Sequence, residues 1–454
     1  MTGNNTSAPC SAGQHHKTVI TDLNHQGDGV GKIDGFTLFV PRALPGETVT
    51  VEITAVHKTY AEARLVAIEE TTAGRVTPAC RHFDRCGGCQ LQHLAYEKQL
   101  IWKQSMVSET LRRIAGIETP VLPIIAMDEP WHYRNKAQIH IAKIKGRVVN
   151  GFYEQGSHNV IDLKQCPVQH PVNEEMINIL RRALQKYSDQ SGEKDSSTFP
   201  ITSAVVRTAF QSGRCVVALN AAPGRTYINR SKQLAALITH ESGGKMVDIV
   251  LLHQGKKAGI TLLSGQSNLE ELVDPFRYQV SPHSFFQINP QQAKKLYESA
   301  AAFSGNPRTA YDLYCGTGNF ALYLSRVAET VIGVDSEKSA IEDATINAAL
   351  NNIYNISFIN ARAEAIPTLL QKGKHPVTIF LNPPRKGCSS ALINDVIKAD
   401  PERIVYISCN PATLARDLGL LQKARFATQK VQPVDMFPHT SHMECVVLMS
   451  RVDK

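Results

Sequence analysis

The sequence contains no long hydrophobic run. Its 454 residues include no uninterrupted apolar stretch of the length that a membrane-spanning helix needs, and no apolar segment follows Met1. Neither a membrane span nor an export signal is therefore predicted. Internal repeats and low-complexity segments are also lacking, and a hydrophobic content of 43% is ordinary for a globular chain. We therefore expect a cytoplasmic protein and exclude a secreted, membrane-embedded or largely disordered one.

Charge of one sign is only slightly in excess. Lys and Arg number 49 against 41 for Asp and Glu, which gives a formal net charge of +8. This excess permits a polyanionic partner without identifying one, since many globular proteins carry as much. The unusual feature of the composition is its ten cysteines. In a chain without an export signal, clustered cysteines indicate a metal site or a nucleophile before they indicate disulfides.

Three regions of different pattern follow one another, which predicts a multidomain α/β protein. Residues 11–70 alternate short strands with turn glycines, as in a small OB-like β-barrel. Residues 71–280 predict a central α+β domain that is strand-rich from 204 to 263 and begins with a helix over 94–114, able to pack on the next domain. Residues 281–454 alternate β-rich runs with helical segments, which is typical of a doubly wound, Rossmann-like sheet.

A glycine turn follows the first predicted strand of the C-terminal region. The strand Thr309–Leu313 runs into Tyr314-Cys315-Gly316-Thr317-Gly318, and glycines there let the backbone approach a ligand where a Cβ atom would clash. The next predicted strand ends in Asp335, 19 residues after Gly316, where a carboxylate can accept hydrogen bonds from ribose hydroxyls. The pattern predicts a nucleotide-type ligand, and spacing alone does not separate NAD from S-adenosylmethionine.

Two further predicted strands, Val377–Leu381 and Arg403–Ile407, end in residues suited to chemistry. Asn382 opens a rigid Asn-Pro-Pro-Arg turn after the first strand and can both donate and accept hydrogen bonds. Cys409 follows the second. Because the carboxyl ends of parallel strands meet at one edge of the sheet, we predict that Cys409 is a nucleophile over the same crevice. The alternative is an ordinary buried thiol.

Near the C-terminus, His439, His442 and Glu444 lie within six residues. Two imidazoles and a carboxylate at this spacing are compatible with a zinc fragment, a capping cluster or an acid–base group. The residues of this segment leave all three interpretations open.

Four other cysteines are spaced like metal ligands: Cys80, Cys86, Cys89 and, farther along, Cys166. Three of them fall within ten residues around two glycines, so a loop could wrap one metal centre, with the distant thiolate completing four ligands. From spacing alone, a four-thiolate zinc fits nearly as well as a [4Fe–4S] cluster. The remaining interpretation is that these are structural thiols without a metal.

Three segments closely resemble the RNA uracil-5-methyltransferases: Asp312–Gly318, Ser408–Asp417 and Asp435–Glu444. The resemblance extends over nearly the whole chain, because the N-terminal barrel resembles a TRAM domain and the cysteines resemble the family's iron–sulfur site. It implies a class I methyltransferase domain, S-adenosylmethionine as cofactor, and a [4Fe–4S] cluster rather than zinc. It also implies an RNA substrate, with 23S rRNA favoured over tRNA because the tRNA relatives generally lack TRAM. We expect a monomer with no membrane partner.

The resemblance also implies roles for individual residues. Cys409 as a thiolate would add to C6 of a uracil that is flipped out of its stack, and Glu444 would remove the C5 proton. The implied cofactor contacts are Gln287, Tyr314, Gly316, Gly318, Asp335 and Asn382. The implied cluster ligands are Cys80, Cys86, Cys89 and Cys166.

Two positions depart from the family pattern, which usually has Glu where this chain has Asp335 and Asp where it has Asn382. Asp335 is shorter but still acidic, so we expect it to be tolerated. Asn382 keeps the shape of the turn and loses its negative charge, which predicts a slower or differently tuned enzyme. The turn also resembles that of adenine amino-methyltransferases, which place an aromatic residue where this chain has Arg385. A further alternative is an iron–sulfur RNA-binding protein impaired in catalysis.

Overall fold

The computed structural model describes residues 8–191, 201–221, 228–245, 247–253, 259–282, 284–365 and 376–452. The chain divides into two compact units. The first comprises Met1–Met106 together with Phe437–Ser441, and the second comprises Val107–Met436 and His442–Lys454. The three predicted domains, with borders after residues 70 and 280, remain a prediction.

The first unit contains a six-stranded sheet in the order β1-β5-β6-β4-β3-β2. Its strands are β1 (His15–Val19), β2 (Asp22–Leu23), β3 (Gly29–Ile33), β4 (Phe36–Val40), β5 (Thr48–Val56) and β6 (Tyr60–Glu70). Alternate residues of β5, namely Val49, Val51 and Ile53, are buried in its core, as expected for a sheet with one apolar face. The sheet is curved, since β1 and β3, which are not neighbours in the strand order, come into contact. Thr18 Oγ1 in β1 donates to the Lys32 carbonyl in β3 at 2.9 Å. This architecture agrees with the predicted small barrel.

Helix α1 (Tyr96–Ala115) confirms the helix predicted over 94–114. In the second unit a six-stranded sheet follows in the order β12-β11-β10-β9-β7-β8. Its strands are β7 (Lys136–Ile144), β8 (Arg147–Gly151), β9 (Ile201–Thr208), β10 (Cys215–Ala221), β11 (Val247–His253) and β12 (Gly259–Ser264), and helix α2 (Pro171–Ser191) lies between β8 and β9 in sequence.

Helix α3 (Ile228–Glu241) lies within the strand-rich region 204–263 and was not predicted. Strands β10 and β11 on either side of it pair in parallel, and parallel neighbours need a crossover connection, usually a helix. Leu234, Ala235 and Ile238 form its buried face. Their helical spacing was hidden among the apolar residues of the flanking strands.

A hairpin of β13 (Leu269–Val273) and β14 (Phe276–Val280) leads into the C-terminal sheet of seven strands, ordered β17-β16-β15-β18-β19-β21-β20. The strands are β15 (Thr309–Leu313), β16 (Thr330–Asp335), β17 (Ile356–Asn360), β18 (Val377–Leu381), β19 (Arg403–Ser408), β20 (Phe426–Val434) and β21 (Glu444–Arg451). The helices are α4 (Pro290–Ala302), α5 (Asn319–Leu324), α6 (Lys338–Leu350), α7 (Ser390–Ala399) and α8 (Pro411–Lys423).

Four predicted strands of this sheet, β15, β16, β18 and β19, are confirmed to within one residue at each end. They pair in parallel, and every residue of β15 and β18 is buried, which makes them the centre of the doubly wound sheet. Strand β21 runs antiparallel to β19, and β17 and β20 were not predicted. Of the helices in the described parts of the chain, none is both long and apolar enough to cross a membrane.

Candidate active site

The ends of four parallel strands place the predicted site residues at one edge of the C-terminal sheet. The strand order β16-β15-β18-β19 sets Asp335, Tyr314, Asn382 and Cys409 at successive carboxyl ends. The register keeps these ends level, because Leu313 pairs with both Val334 and Leu381. Residues remote in sequence therefore meet at the edge where α/β sheets bind their ligands.

The turn after β15 has left-handed backbone at three positions. The φ angles are 67° at Tyr314, 53° at Gly316 and 77° at Gly318. A Cβ atom on Gly318 would lie 3.0 Å from Phe358 Cζ, so glycine is needed there for packing as well as for conformation. A Cβ atom on Gly316 would meet nothing within 4 Å, so this part of the backbone borders open space that a ligand can enter.

Asp335 fixes the same turn from the neighbouring strand. Its Oδ2 accepts a hydrogen bond of 2.9 Å from the Gly316 N–H, and its Oδ1 accepts one of 2.9 Å from the Glu337 N–H. A carboxylate oxygen has a second lone pair, so Asp335 can still accept from ribose hydroxyls. Below the turn, burial and the charge of Asp335 raise the pKa of the fully buried Asp312 to about 8. The neutral form of this buried carboxyl group is therefore favoured at pH 7.

Asn382 is held beside the glycine turn through its backbone. Its N–H donates to the Leu313 carbonyl at 3.3 Å, and its side chain is half-buried. Among the described residues its side-chain amide has no hydrogen-bond partner, so its donors and its acceptor are available to a ligand.

The loop after Asn382 is anchored on α8, the helix that follows Cys409. The Arg385 carbonyl accepts hydrogen bonds from Asn410 Nδ2 at 3.2 Å and from Thr413 Oγ1 at 3.1 Å. Deeper in the fold, Asp417 Oδ2 accepts from the Cys388 N–H at 2.9 Å and from the Tyr406 hydroxyl at 2.6 Å. Sequence reasoning missed this anchoring, although the Arg416-Asp417 pair at the end of the Ser408–Asp417 motif was a signal for it.

Cys409 and Glu444 are brought together by strand register. Ser408 pairs with Cys445 across β19 and β21, so Cys409 and Glu444 are the next residues along the two strands. Burial raises the pKa of Glu444, which is 7% exposed, to about 8. Burial and the charge of Glu444 also raise the pKa of the half-buried Cys409 thiol, and a hydrogen bond from the Arg385 guanidinium opposes this. A thiol, a carboxyl group and a guanidinium therefore share one corner of the sheet edge.

Gln287 lies in the segment between β14 and α4 and is 7% exposed. The neighbouring Phe286 ring packs edge-on against the Tyr278 ring, with 5.5 Å between centroids. The Tyr278 hydroxyl in turn donates to the Asn319 carbonyl at 3.0 Å, directly after the glycine turn. These contacts connect the segment that carries Gln287 to the turn that carries Tyr314.

The two histidines near Glu444 in sequence, His439 and His442, lie in surroundings unlike those of the buried Glu444. His439 belongs to the first unit, where its N–H donates to Gln99 Oε1 at 3.0 Å and its Nδ1 lies 3.2 Å from Gln99 Nε2. His442 is exposed. Across the described ranges, no three His, Cys, Asp or Glu side chains are placed to hold a metal ion, so the zinc interpretation of this segment is not supported.

The predicted iron–sulfur site is likewise not formed by the described residues. Cys80, Cys86 and Cys89 lie in the first unit and Cys166 lies in the second. Cys80 and Cys86 are partly exposed, whereas Cys89 and Cys166 are buried, and the absence of any ligand group in the described part of the chain applies to them too. The cluster therefore stays a prediction from the cysteine spacing and the family resemblance.

Comparison with known proteins identifies the family of the chain. A sequence model described as tRNA (uracil-5-)-methyltransferase matches residues 95–452, and a TRAM domain model matches residues 17–66. The chain belongs to the tRNA (uracil-5-)-methyltransferase family. The resemblance stated from the sequence motifs is thus confirmed, and so is the TRAM domain.

Two relatives of this methyltransferase are similar over almost their whole length. An uncharacterized RNA methyltransferase of Clostridium tetani is 38% identical over 97% of both chains. One of Caldanaerobacter subterraneus is 37% identical over 97% of this chain and 99% of the relative. Among solved structures, Pyrococcus abyssi tRNA (uracil-54, C5)-methyltransferase in complex with S-adenosyl-L-homocysteine matches with a TM-score of 0.72 and 26% identity, covering 96% of this chain and 100% of the other.

Membership of this family makes the chain an S-adenosylmethionine-dependent RNA methyltransferase. The features of the sheet edge fit such a cofactor: a left-handed glycine turn bordering open space, a carboxylate at the next strand end, and an amide without a protein partner among the described residues. The alternative of an NAD-binding protein is set aside.

Proposed function

We propose that this enzyme methylates C5 of a uridine in RNA through a covalent adduct with Cys409, and that Glu444 is the base that completes the reaction. The observation that carries the proposal is the register of β19 and β21, which sets Cys409 beside Glu444 at the edge that also bears the glycine turn. A nucleophile and a base within one water-poor corner are what the chemistry of C5 requires.

The chemistry assigns a separate task to each group. C5 of uracil is too weak a nucleophile to accept a methyl group directly, so the Cys409 thiolate adds to C6 and C5 becomes an enolate-type carbon. S-adenosylmethionine, when bound, supplies the electrophilic methyl group. Glu444 then takes the C5 proton, the electrons of that C–H bond restore the double bond, and the Cys409 sulfur leaves as thiolate. The uracil must leave its base stack to reach this corner.

Arg385 allows the two acidic groups to act together. Its charge lowers the pKa of both Cys409 and Glu444, against the burial that raises them. Without a cation, a thiolate and a carboxylate side by side in a buried corner would disfavour each other's ionisation. The turn that begins at Asn382 therefore serves cofactor and nucleophile at once.

The cofactor contacts proposed are Gln287, Tyr314, Gly316, Gly318, Asp335 and Asn382. They are supported by convergence at one edge and by the anchoring of Gln287 to the glycine turn through Phe286 and Tyr278. Asp335 would accept from the ribose hydroxyls, and Asn382 would face the methyl-transfer region with an uncharged amide. The missing charge at Asn382 predicts slower turnover than a carboxylate would give.

Two RNA substrates are candidates. The resemblance of the motifs and cysteine pattern favours 23S rRNA. The structural similarity favours tRNA, because the Pyrococcus enzyme that matches 96% of this chain acts on uracil-54 of tRNA. That coverage is too great to leave out the TRAM segment, so the presence of TRAM does not separate the two substrates.

Methyl transfer to defined transcripts tests the proposal. Purified enzyme and the Asn382→Asp variant are each given labelled S-adenosylmethionine with 23S rRNA fragments or with tRNA, and 5-methyluridine is located by mass spectrometry. We expect label at C5 in one RNA class and faster transfer by Asn382→Asp. Label on an adenine amino group, or no label in either class while S-adenosylhomocysteine binds, would refute uridine methylation.

A [4Fe–4S] cluster on Cys80, Cys86, Cys89 and Cys166 is a separate proposal, supported by the cysteine spacing and by the family resemblance. No step of the reaction above passes through it. Anaerobically purified protein should contain iron and acid-labile sulfide, both of which should be lost in Cys86→Ser. Zinc in place of iron would favour the alternative metal, and the absence of both would leave structural thiols.

A further inference from the structure

A buried polar network lies in the second unit, beside the sheet that contains β7 and β9, here called the central sheet. Asn135 precedes β7, Arg207 lies on β9 and Glu271 lies on β13, and their exposed fractions are 2%, 5% and 1%. Glu271 accepts hydrogen bonds from Asn135 Nδ2 at 3.1 Å and from the Phe210 N–H at 2.8 Å. Arg207 is the charged group that faces Glu271. Burying a carboxylate and a guanidinium costs free energy, and an apolar replacement is often as stable, so fold stability alone does not account for this network.

The network holds the backbone of the segment that carries Gln287. The Asn135 N–H donates to the Ile288 carbonyl at 2.9 Å, and Asn135 Nδ2 lies 3.5 Å from the Gln287 carbonyl. Arg207 Nη2 donates to the Ser284 carbonyl at 3.3 Å. Residues 281–282 and 284–289, the described part of the segment, form no strand or helix, so these donors help to fix the path of its backbone.

The far end of the segment is fixed independently of the network. Asn289 caps α4, with its Oδ1 accepting from the Gln292 N–H at 3.2 Å and its Nδ2 donating to the Met436 carbonyl at 3.0 Å. Gln287 thus lies between one anchor at Asn135, directly before β7, and another at Asn289, at the start of α4. A displacement of the Asn135 anchor would move Gln287 while leaving the cap in place.

We propose that Asn135, oriented by Glu271, is a positioning residue that sets Gln287 for S-adenosylmethionine. This inference rests on the cofactor contact proposed for Gln287. It makes the central sheet a part of the cofactor site, although no side chain of that sheet needs to touch the cofactor. It also explains why the carboxylate of Glu271 stays buried: one oxygen holds the Phe210 backbone, and the other holds the amide of Asn135.

Asn150 offers a matched control on the same sheet. It is fully buried in β8, and its Nδ2 donates to the Ile177 carbonyl at 2.9 Å, so Asn150→Ala removes the same kind of hydrogen bond away from the segment. We expect Asn135→Ala to weaken S-adenosylhomocysteine binding about three- to tenfold, the effect of one lost hydrogen bond. Asn150→Ala should lower the melting temperature comparably and leave this affinity unchanged. Isothermal titration calorimetry measures the affinity directly.

A double-mutant cycle with Gln287→Ala separates positioning from general destabilisation. If Asn135 acts through Gln287, Asn135→Ala has little further effect in the Gln287→Ala background. Full additivity, or equal losses in Asn135→Ala and Asn150→Ala, would overturn the inference and leave the proposed function intact. Failure of the wild-type enzyme to bind S-adenosylhomocysteine would instead refute the cofactor site itself.

Should Asn135→Ala not fold, Glu271→Gln is the substitute variant. Its single amide oxygen cannot accept from both the Phe210 N–H and Asn135 Nδ2, so one of these two hydrogen bonds is lost. Unchanged S-adenosylhomocysteine affinity in Glu271→Gln would count against the inference.

Discussion

The carboxyl edge of the C-terminal sheet and the Cys80–Cys89 loop are built in opposite ways. At the sheet edge, Cys409 follows a buried strand, and its neighbour Glu444 is set by the pairing of β19 with β21. The loop instead consists of turns and is tied down through Arg42, whose Nη2 donates to the Phe83 carbonyl at 2.7 Å. The edge is therefore preorganised by strand pairing and by the hydrogen bonds that fix its turns, whereas a thiolate site in a loop commonly gains its geometry from the metal.

Each of the two regions has an arginine close to its cysteines, but the two arginines differ in burial and in which pKa changes. Arg42 lies in the field of Cys86 and Cys89, and burial lowers its own pKa; its guanidinium also sits 3.9 Å above the Phe83 ring. Arg385 is exposed and lowers the pKa of Cys409. The first arginine thus ties the loop backbone together, whereas the second acts on the Cys409 thiol.

Removal of the Cys409 sulfur should have the largest effect. Cys409→Ala cannot form the bond to C6, so turnover should fall by at least about a thousandfold, as for other enzymes that lose their nucleophile. S-adenosylhomocysteine affinity should stay near that of the wild type. Cys215→Ala is the control, since Cys215 is a buried thiol on the central sheet, and its turnover should be retained. Methyl transfer that survives in Cys409→Ala would assign the reaction to another nucleophile or to adenine.

Glu444→Gln should stop the reaction later than Cys409→Ala does. Addition to C6 and methyl transfer remain possible, but proton removal slows by about 10²–10⁴-fold, so a covalent protein–RNA adduct should accumulate and be visible as a shifted band in a denaturing gel. Because the pKa of Glu444 is raised to about 8, wild-type turnover should rise as pH increases from 6 to 8. An active variant that leaves no adduct would contradict the base assignment.

The same substitution has a stability consequence whose sign follows from linkage. The pKa of Glu444 is about 8 in the folded state and near 4.5 as its ordinary value. Between these values the folded state keeps a proton that the unfolded state has lost, so the free energy of unfolding falls as pH rises through that window. Glu444→Gln should therefore be more stable than the wild type at pH 9 and gain nothing at pH 4. Thermal melts at the two pH values measure this.

Substitution of the two glycines of the turn should affect different properties, the stability of the fold for Gly318 and cofactor affinity for Gly316. Gly318→Ala combines a left-handed φ with contacts of 3.0 Å to Phe358 and 3.1 Å to Ala344, which should destabilise the fold by roughly 2–4 kcal/mol. Gly316→Ala meets nothing within 4 Å, so it should cost only about 1–2 kcal/mol of backbone strain but place a methyl group where the cofactor enters. Melting temperatures and S-adenosylhomocysteine titration distinguish them. Equal affinity in Gly316→Ala and the wild type would move the cofactor away from this turn.

The C-terminal sheet was predictable because its signals are local. Strands such as Thr309–Leu313 are short apolar runs between turns, and buried parallel strands have that pattern. Helix α3 was missed because its apolar face is read as one more β-rich run, and β20 was missed because charged and polar residues interrupt it. Tertiary pairing, which decides both, leaves little trace in a single sequence.

Site residues were predictable to the extent that they follow strand ends. Asp335, Asn382 and Cys409 were found in this way, and the structure brings them to one edge. The hydrogen bonds that hold the Arg385 loop to α8 could not be found, because they join side chains to carbonyl groups whose positions depend on the completed fold. The network around Asn135 escaped for the same reason: nothing in its local sequence marks a residue that acts on a segment about 150 positions away.

Cys86→Ser should have the smallest effect and is the sharpest test of the contrast. Cys86 is a partly exposed loop residue, and no step of the proposed reaction uses it, so turnover per folded molecule should change by no more than about twofold, as for surface positions in general. S-adenosylhomocysteine affinity should be unchanged, whether or not the variant loses iron. A fall in turnover as large as that of Cys409→Ala, with cofactor affinity intact, would show that the loop acts on the RNA or on the nucleophile, and the sheet edge could no longer be regarded as a self-sufficient site.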